Sequence, residues 1–378
     1  MTMQILTYQV SFNTPAFLGN AEQQAQWRTP PFKALIRQWW RVVKAPQVGY
    51  DHRELLRREN ELFGAAFDGG EAKSHRSLIQ LRLSAWGEGT LTQLPLMATH
   101  THPEVKNKTT GKPVAVDTAV YLGFGPVTLH SVRKAIAPNT PPLTLKLRCP
   151  ETDAPDIRKA MQLAAWFGTL GSRSRNGWGS LSLEGEGLTG LDGLCDRKLS
   201  EQAPLRTLPA ALGDRLAGEW PYSMGLCADE RPAVWRVFAE KTTREGKPYF
   251  QGFSDWKSVM ERLASLKIGF RTQFTFNGGR PHPRVENRHV LAYPVTNHDL
   301  SGLNNARLAS QMRFKVIKNK AGEFFGLITH LPCAMPAAFF SGSSVRPPEI
   351  SRQIEVWQQV HQFLNAQPPT LITRIRKG

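Results

Sequence analysis

The sequence predicts an α+β protein built as two successive domains, and three observations carry that reading. The chain has 378 residues, and since domains usually hold about 100 to 200 residues, two cores are expected. Short runs of alternating apolar residues, the mark of half-buried strands, recur through the first half. Between them lie segments with apolar residues three and four apart, the mark of amphipathic helices.

From Ile5 to Phe12, Leu6, Tyr8, Val10 and Phe12 share one face, which predicts a first strand. Thr29-Pro30-Pro31 offers an N-cap and prolines for a first turn, so a helix is expected to about Lys44, burying Phe32, Leu35, Ile36, Trp39 and Val43. Alternation returns at Leu78 to Trp86 and at Leu143 to Arg148. The stretch 87–142, rich in Pro, Gly, Thr and His, is too long for a plain loop and reads as an insertion with short strands, Tyr121 to Val127 among them. Asp156 to Leu170 has helical spacing, with Asp156 as its cap and Gly171 as its C-cap. Ser180 to Leu183 reads as a strand. Strand, helix, strand, strand, helix, strand is the ferredoxin-like order.

Residues 1–190 therefore form one domain, 191–232 a linker region without a clear period, and 233–378 a second α+β unit. Its expected elements are strands at Trp235 to Phe238, Arg313 to Val316 and Phe324 to Leu331, a helix capped by Ser254 and running to about Lys267, and a helix at Glu349 to Leu364.

Hydrophobic residues at 40% and charged residues at 21% are globular proportions. The 48 Lys and Arg exceed the 31 Asp and Glu by 48 − 31 = 17, and the excess is spread over both halves. A polyanionic partner is implied, against the plainer reading of a solvated basic surface. The four cysteines are far apart, which suggests buried thiols rather than zinc or redox chemistry. The first residues lack the basic and apolar segments of a signal peptide, and no apolar run reaches membrane-spanning length, so a cytoplasmic protein is expected.

Three features fit a nucleic acid. In the loop Gly171-Ser172-Arg173-Ser174-Arg175-Asn176-Gly177-Trp178-Gly179, glycines permit close backbone approach, Arg173 and Arg175 suit phosphate, and Trp178 offers a face for a base. Following a helix and opening a strand, it is not a nucleotide-triphosphate loop, though a merely basic turn is the competing reading. On the first helix Lys33, Arg37 and Arg41 form a stripe flanked by Trp40 and Lys44, with no acid interrupting it. Residues 262–320 hold eleven Lys or Arg against Glu286 and Asp299, densest at Arg307, Arg313, Lys315, Lys318 and Lys320. Catalysis has little support. His100 and His102, or His282 and His289, lack further ligands at metal-binding spacing, and none of His52, His75 or His130 is singled out as an acid–base pair member. No metal and no cofactor is expected.

A ferredoxin-like unit whose second helix runs into such a loop resembles the RAMP superfamily of CRISPR proteins. Phe12-Asn13-Thr14-Pro15-Ala16-Phe17-Leu18-Gly19, the segment Phe32 to Arg41 with its Trp39-Trp40-Arg41, and Glu61-Leu62-Phe63-Gly64 are similar to the family of the first-named subunit of the type III-B Cmr effector complex. Arg307-Leu308-Ala309-Ser310 fits it as well, while Gln38 stands where the family pattern has glycine. The resemblance implies two tandem ferredoxin-like (RRM-like) RAMP domains, the first with a long insertion. It implies a non-catalytic RNA-binding subunit of an antiviral ribonucleoprotein, docked on sister RAMP subunits and capping the guide-RNA filament near the guide's 3′ region or its duplex with target RNA. A metal-independent RAMP endoribonuclease that processes CRISPR transcripts is the alternative.

Overall fold

Strand β1 (Met3–Phe12) opens the fold, with Leu6, Tyr8, Val10 and Phe12 turned into the core as their alternation requires. The structure is a computed structural model that describes residues 1–65, 74–214, 220–303 and 306–376. Helix α1 (Thr29–Lys44) follows with Pro30 and Pro31 in its first turn. Arg28 rather than Thr29 occupies the cap position, and it supplies no side-chain bond there. Helix α2 (His52–Phe63), not anticipated from the sequence, starts where the Asp51 carboxylate accepts from the Glu54 amide at 2.8 Å. Then come β2 (Gln80–Leu83), the insertion with hairpin β3 (Thr99–Lys106) and β4 (Pro113–Asp117) and helix α3 (Thr118–Gly123), and finally β5 (Leu143–Pro150), α4 (Ala154–Phe167) and β6 (Leu181–Glu184).

Two local expectations change here. Tyr121 lies in a helix, not a strand, because Asp117 caps it by accepting from the Val120 amide at 2.9 Å. Helix α4 begins two residues before Asp156, with Pro155 in its first turn, and ends at Phe167 rather than at Gly171. Gly168, in extended backbone against the Ala164 carbonyl, is the terminator.

Strands β2-β5-β1-β6 form one antiparallel sheet in that order. In order of appearance that is second, third, first and fourth, the ferredoxin-like arrangement. The 191–232 stretch carries α5 (Asp196–Gln202), β7 (Leu205–Arg206), α6 (Leu208–Gly213) and β8 (Met224–Gly225), with β7 and β8 pairing in parallel; residues 215–219 lie outside the described set.

The second unit runs β9 (Val234–Val237), hairpin β10 (Glu240–Arg244) and β11 (Lys247–Gln251), α7 (Trp256–Thr272), α8 (Asn287–Leu291), β12 (Met312–Lys318), β13 (Phe324–His330), α9 (Ile350–Asn365) and β14 (Ile372–Arg374). Its main sheet has the antiparallel order β12-β13-β9-β14. Once the short β14, unforeseen from the sequence, is counted, the order is again second, third, first, fourth. Asp255, not Ser254, caps α7 by accepting from the Ser258 amide at 2.9 Å.

Because β12 is an edge strand, its outward backbone groups need partners. The first unit supplies them. The Arg175 carbonyl accepts from the Phe314 amide at 3.0 Å, Ser180 Oγ from the Val316 amide at 2.8 Å, and Asn13 Nδ2 donates to the Val316 carbonyl at 3.0 Å. The end of β1 and the glycine loop thus close the second sheet.

Candidate nucleic-acid interface

The 171–179 loop has two halves with different surroundings. Its inner half is structural. Asn176 donates to the Leu122 carbonyl and accepts from Lys267 Nζ of α7, at 2.7 and 2.8 Å, while Arg175 donates to the Ser310 carbonyl at 2.7 Å. The Gly177 carbonyl accepts from Thr14 Oγ1 at 2.7 Å and Ser180 Oγ at 2.8 Å. Trp178 is fully buried, edge-on to Phe17 and Trp256. Its indole has no face open to a base, which corrects the stacking role expected of it. Gly177 and Gly179 are buried too, and Gly179, at φ 61°, leaves room for the Leu170 carbonyl that any Cβ would strike.

The outer half faces solvent. Ser172 and Arg173 are exposed, and Arg173 at φ 58° aims its guanidinium at the Phe124 carbonyl of the insertion. Gly171, at φ 95°, brings the chain against the Phe17–Leu18 backbone, where a Cβ would lie 2.6 Å from the Phe17 carbonyl oxygen. That close approach makes the floor of a cleft of about 490 Å³ whose lining includes Phe17, Gly19, Arg28, Arg133, Lys134 and Ser172. Arg28 Nε is shut off from solvent without a hydrogen-bond partner. Arg133 and Lys134 are exposed, and neither they nor Arg28 and Arg173 enter an ion pair among the described residues. An adjoining groove adds Glu22 to Arg133 and Lys134. Sequence reasoning missed Arg28, Arg133 and Lys134 because they stand singly or in a pair in loops and only the fold brings them to the glycine loop.

The α1 stripe is placed differently from expectation. Acids interrupt it from other elements. Glu59 of α2, fully buried, takes ion pairs from both Arg37 and Arg41, with Arg41 Nη2 at 2.7 Å from Oε1. The Arg41 guanidinium also lies 3.8 Å over the Trp220 ring. Lys33 donates to Ser77 Oγ at 2.7 Å, Lys44 pairs with Asp156 at 3.0 Å, and Trp40 is buried edge-on to Phe63. This stripe packs against α2 and is not an open phosphate track.

The 307–320 segment also divides. Lys315 is buried, its ammonium donating to the Ala164 and Ala165 carbonyls near the end of α4, at 3.2 and 2.7 Å. Burial presses its pKa well below the ordinary lysine value, and the helix-end carbonyls help to hold the charge. Lys315 therefore ties the two units together rather than facing a ligand, and Arg313 beside it is only partly exposed. Arg307, Lys318 and Lys320 are exposed.

Three of the candidate histidines, His52, His102 and His282, have other partners, while His75 and His130 are exposed. His52 bonds Tyr222 at 3.1 Å, His282 bonds His298 at 2.9 Å, and His102 packs against Tyr121. No group of three or more His, Cys, Asp or Glu among the described residues is placed to hold a metal ion. No helix among them is long and apolar enough to cross a membrane.

No protein-family model matches the chain, and no curated protein does. Solved structures do. Over 99% of its length the chain is similar to 99% of Cmr1 from Pyrococcus furiosus in its apo form, at 14% identity and a TM-score of 0.44. Over 96% of its length it is similar to 99% of a chain in the type III-B Cmr-beta assembly bound to cognate target RNA and AMPPNP in the presence of single-stranded DNA, at 11% identity and a TM-score of 0.46. A chain of the Cmr-beta assembly bound to cognate target RNA matches over 48% of this chain and 59% of its own, at 15% identity and a TM-score of 0.28.

Proposed function

We propose that this protein is a non-catalytic RNA-binding subunit of a type III-B CRISPR effector complex, holding guide RNA or the guide–target duplex and docking on sister RAMP subunits. The observation that carries this reading is the cleft at the outer half of the glycine loop. There Arg28, Arg133 and Lys134 converge without an ion pair among the described residues, on backbone that glycine brings close, with Arg173 two residues along the loop from Gly171. Uncompensated cations around a concave floor suit a phosphodiester strand, and contacts through backbone and charge accept any guide sequence. Arg307, Lys318 and Lys320 extend the basic surface on the second unit.

The test is RNA affinity across a salt series for the full chain and for Arg133→Ala with Lys134→Ala. Both side chains are exposed, so stability should stay within about 0.5 kcal/mol. Affinity should fall, and the slope of log affinity against log salt should become shallower by about 0.7 for each lost phosphate contact on a single strand. An unchanged slope and affinity would sink the site. Metal-free cutting of repeat RNA that disappears in His130→Ala would replace this reading with the endoribonuclease.

A further inference from the structure

Arg173 also borders a second group of cations, between the glycine loop, α7 and the insertion. Lys267 donates to Asn176 Oδ1 at 2.8 Å and lies 5.3 Å from the centre of the Tyr121 ring. One turn further along α7 stands Arg271, half-buried, whose side chain has no hydrogen bond or ion pair among the described residues. The nearby carboxylate of Glu104 is already taken, bound by Arg288 through both of its oxygens. Lys267 therefore stands near the like charges of both Arg271 and Arg173, and the acid that reaches Arg271, Glu104, is shared with Arg288. Burial first, then the like charges of Arg271 and Arg173, press the Lys267 pKa well below that of an ordinary lysine. An anion entering here would relieve that repulsion.

Beside this cluster the insertion offers the aromatic face that Trp178 does not. Phe124 is 64% exposed, and its own carbonyl receives the Arg173 guanidinium, so ring and cation are held in one unit. The turn that carries it leads to the cleft, since the Arg133 amide donates to the Pro126 carbonyl at 2.8 Å. An exposed ring beside an uncompensated phosphate-sized charge is the pairing by which proteins hold unpaired nucleotides, the base on the ring and the phosphate on the cations.

We propose that Phe124, Arg173, Lys267 and Arg271 form a subsite for one unpaired nucleotide of the RNA strand, with its base stacked on Phe124 and its phosphate held by the three cations. The inference rests on the RNA-binding reading above and names what part of the RNA is taken: single-stranded, not duplex.

The experiment compares full-length wild type, Phe124→Ala and Arg271→Gln on a mixed-sequence single-stranded oligoribonucleotide and on the same strand in a duplex, by fluorescence anisotropy over a salt series. Phe124→Ala should weaken single-strand binding about 5- to 150-fold with the salt slope unchanged. Arg271→Gln should reduce the slope by about 0.7. Duplex affinity should be untouched by Phe124→Ala. If both variants bind the single strand as wild type does, while Arg133→Ala with Lys134→Ala does not, the subsite is wrong and the cleft stands. If wild type binds neither probe with salt dependence, both readings fall. If Phe124→Ala leaves RNA affinity intact but prevents association with sister subunits, the ring is a protein contact and the subsite is overturned.

Discussion

The two units share one strand order and differ where it matters for function, in the connection between second helix and last strand. In the first unit that connection is the 171–179 loop, with three glycines at positive φ and bonds reaching into the other unit. In the second it is Ala366 to Leu371, a proline turn closed locally, where the Leu371 amide donates to the Pro368 carbonyl at 3.0 Å. The fold tolerates either. Glycines are therefore not what the strand order demands; they serve the seam and the cleft floor. Buried ionisable groups differ in the same way. The first unit surrounds its buried Glu59 with two arginines, whereas the second, besides its buried Lys315 and Arg288, holds the buried histidines His289, His330 and His361, whose pKa burial lowers.

The largest effect should come from removing the counter-charges of Glu59. Arg37→Ala with Arg41→Ala leaves a carboxylate fully buried and unpaired, which costs about 3–5 kcal/mol. Chemical denaturation reads that loss, and RNA affinity of the folded fraction should not move. A variant that folds like wild type yet loses RNA would make the stripe a binding face and end the distinction between the units.

Next is Gly179→Ala, which combines left-handed backbone with a clash against the Leu170 carbonyl. Strain and overpacking together should cost about 2–4 kcal/mol. The matching change in the second unit, Pro369→Ala, touches an exposed turn and should cost no more than about 1 kcal/mol, mainly through a freer unfolded chain. Equal losses by thermal unfolding would mean that the two connections do the same job.

These contrasts also explain what could be read in advance. Strong alternation in β1 and β5 and helical spacing in α1 located the first unit because each of those segments buries mainly one face, while α4, buried all round from Ala160 to Phe167, showed itself by its apolar length. Helix α2 escaped notice since its sequence, His52 to Phe63, is mostly charged and buries only Leu55, Glu59, Leu62 and Phe63. Strand β14 was too short to show a period. The glycine loop was legible as special from its composition, but not which half of it faces water. Trp178 and a surface tryptophan look alike in sequence, and the packing of Phe17 and Trp256 around it comes from residues far away in the chain. The basic stripe misled for a related reason: the acid that answers Arg37 and Arg41 lies on another helix.

The pH response tests the contrast without any mutation. Burial lowers the pKa of His361 to about 3 and that of His289 to about 4. Unfolded, each would titrate near 6.5. Between those values the unfolded chain binds more protons than the folded one, so stability is full above about pH 6.5 and is lost as pH falls toward the folded values. From pH 7 to pH 5.5 the two groups together should cost about 2 kcal/mol. The first unit has no fully buried histidine among its described residues, so it should hold over this range. Hydrogen exchange at pH 5.5 should therefore speed up first in β12 and β13 of the second unit, with β1 and β5 still protected. Uniform loss of protection in both sheets would show that the seam through Asn13, Arg175 and Ser180 makes the two units unfold as one.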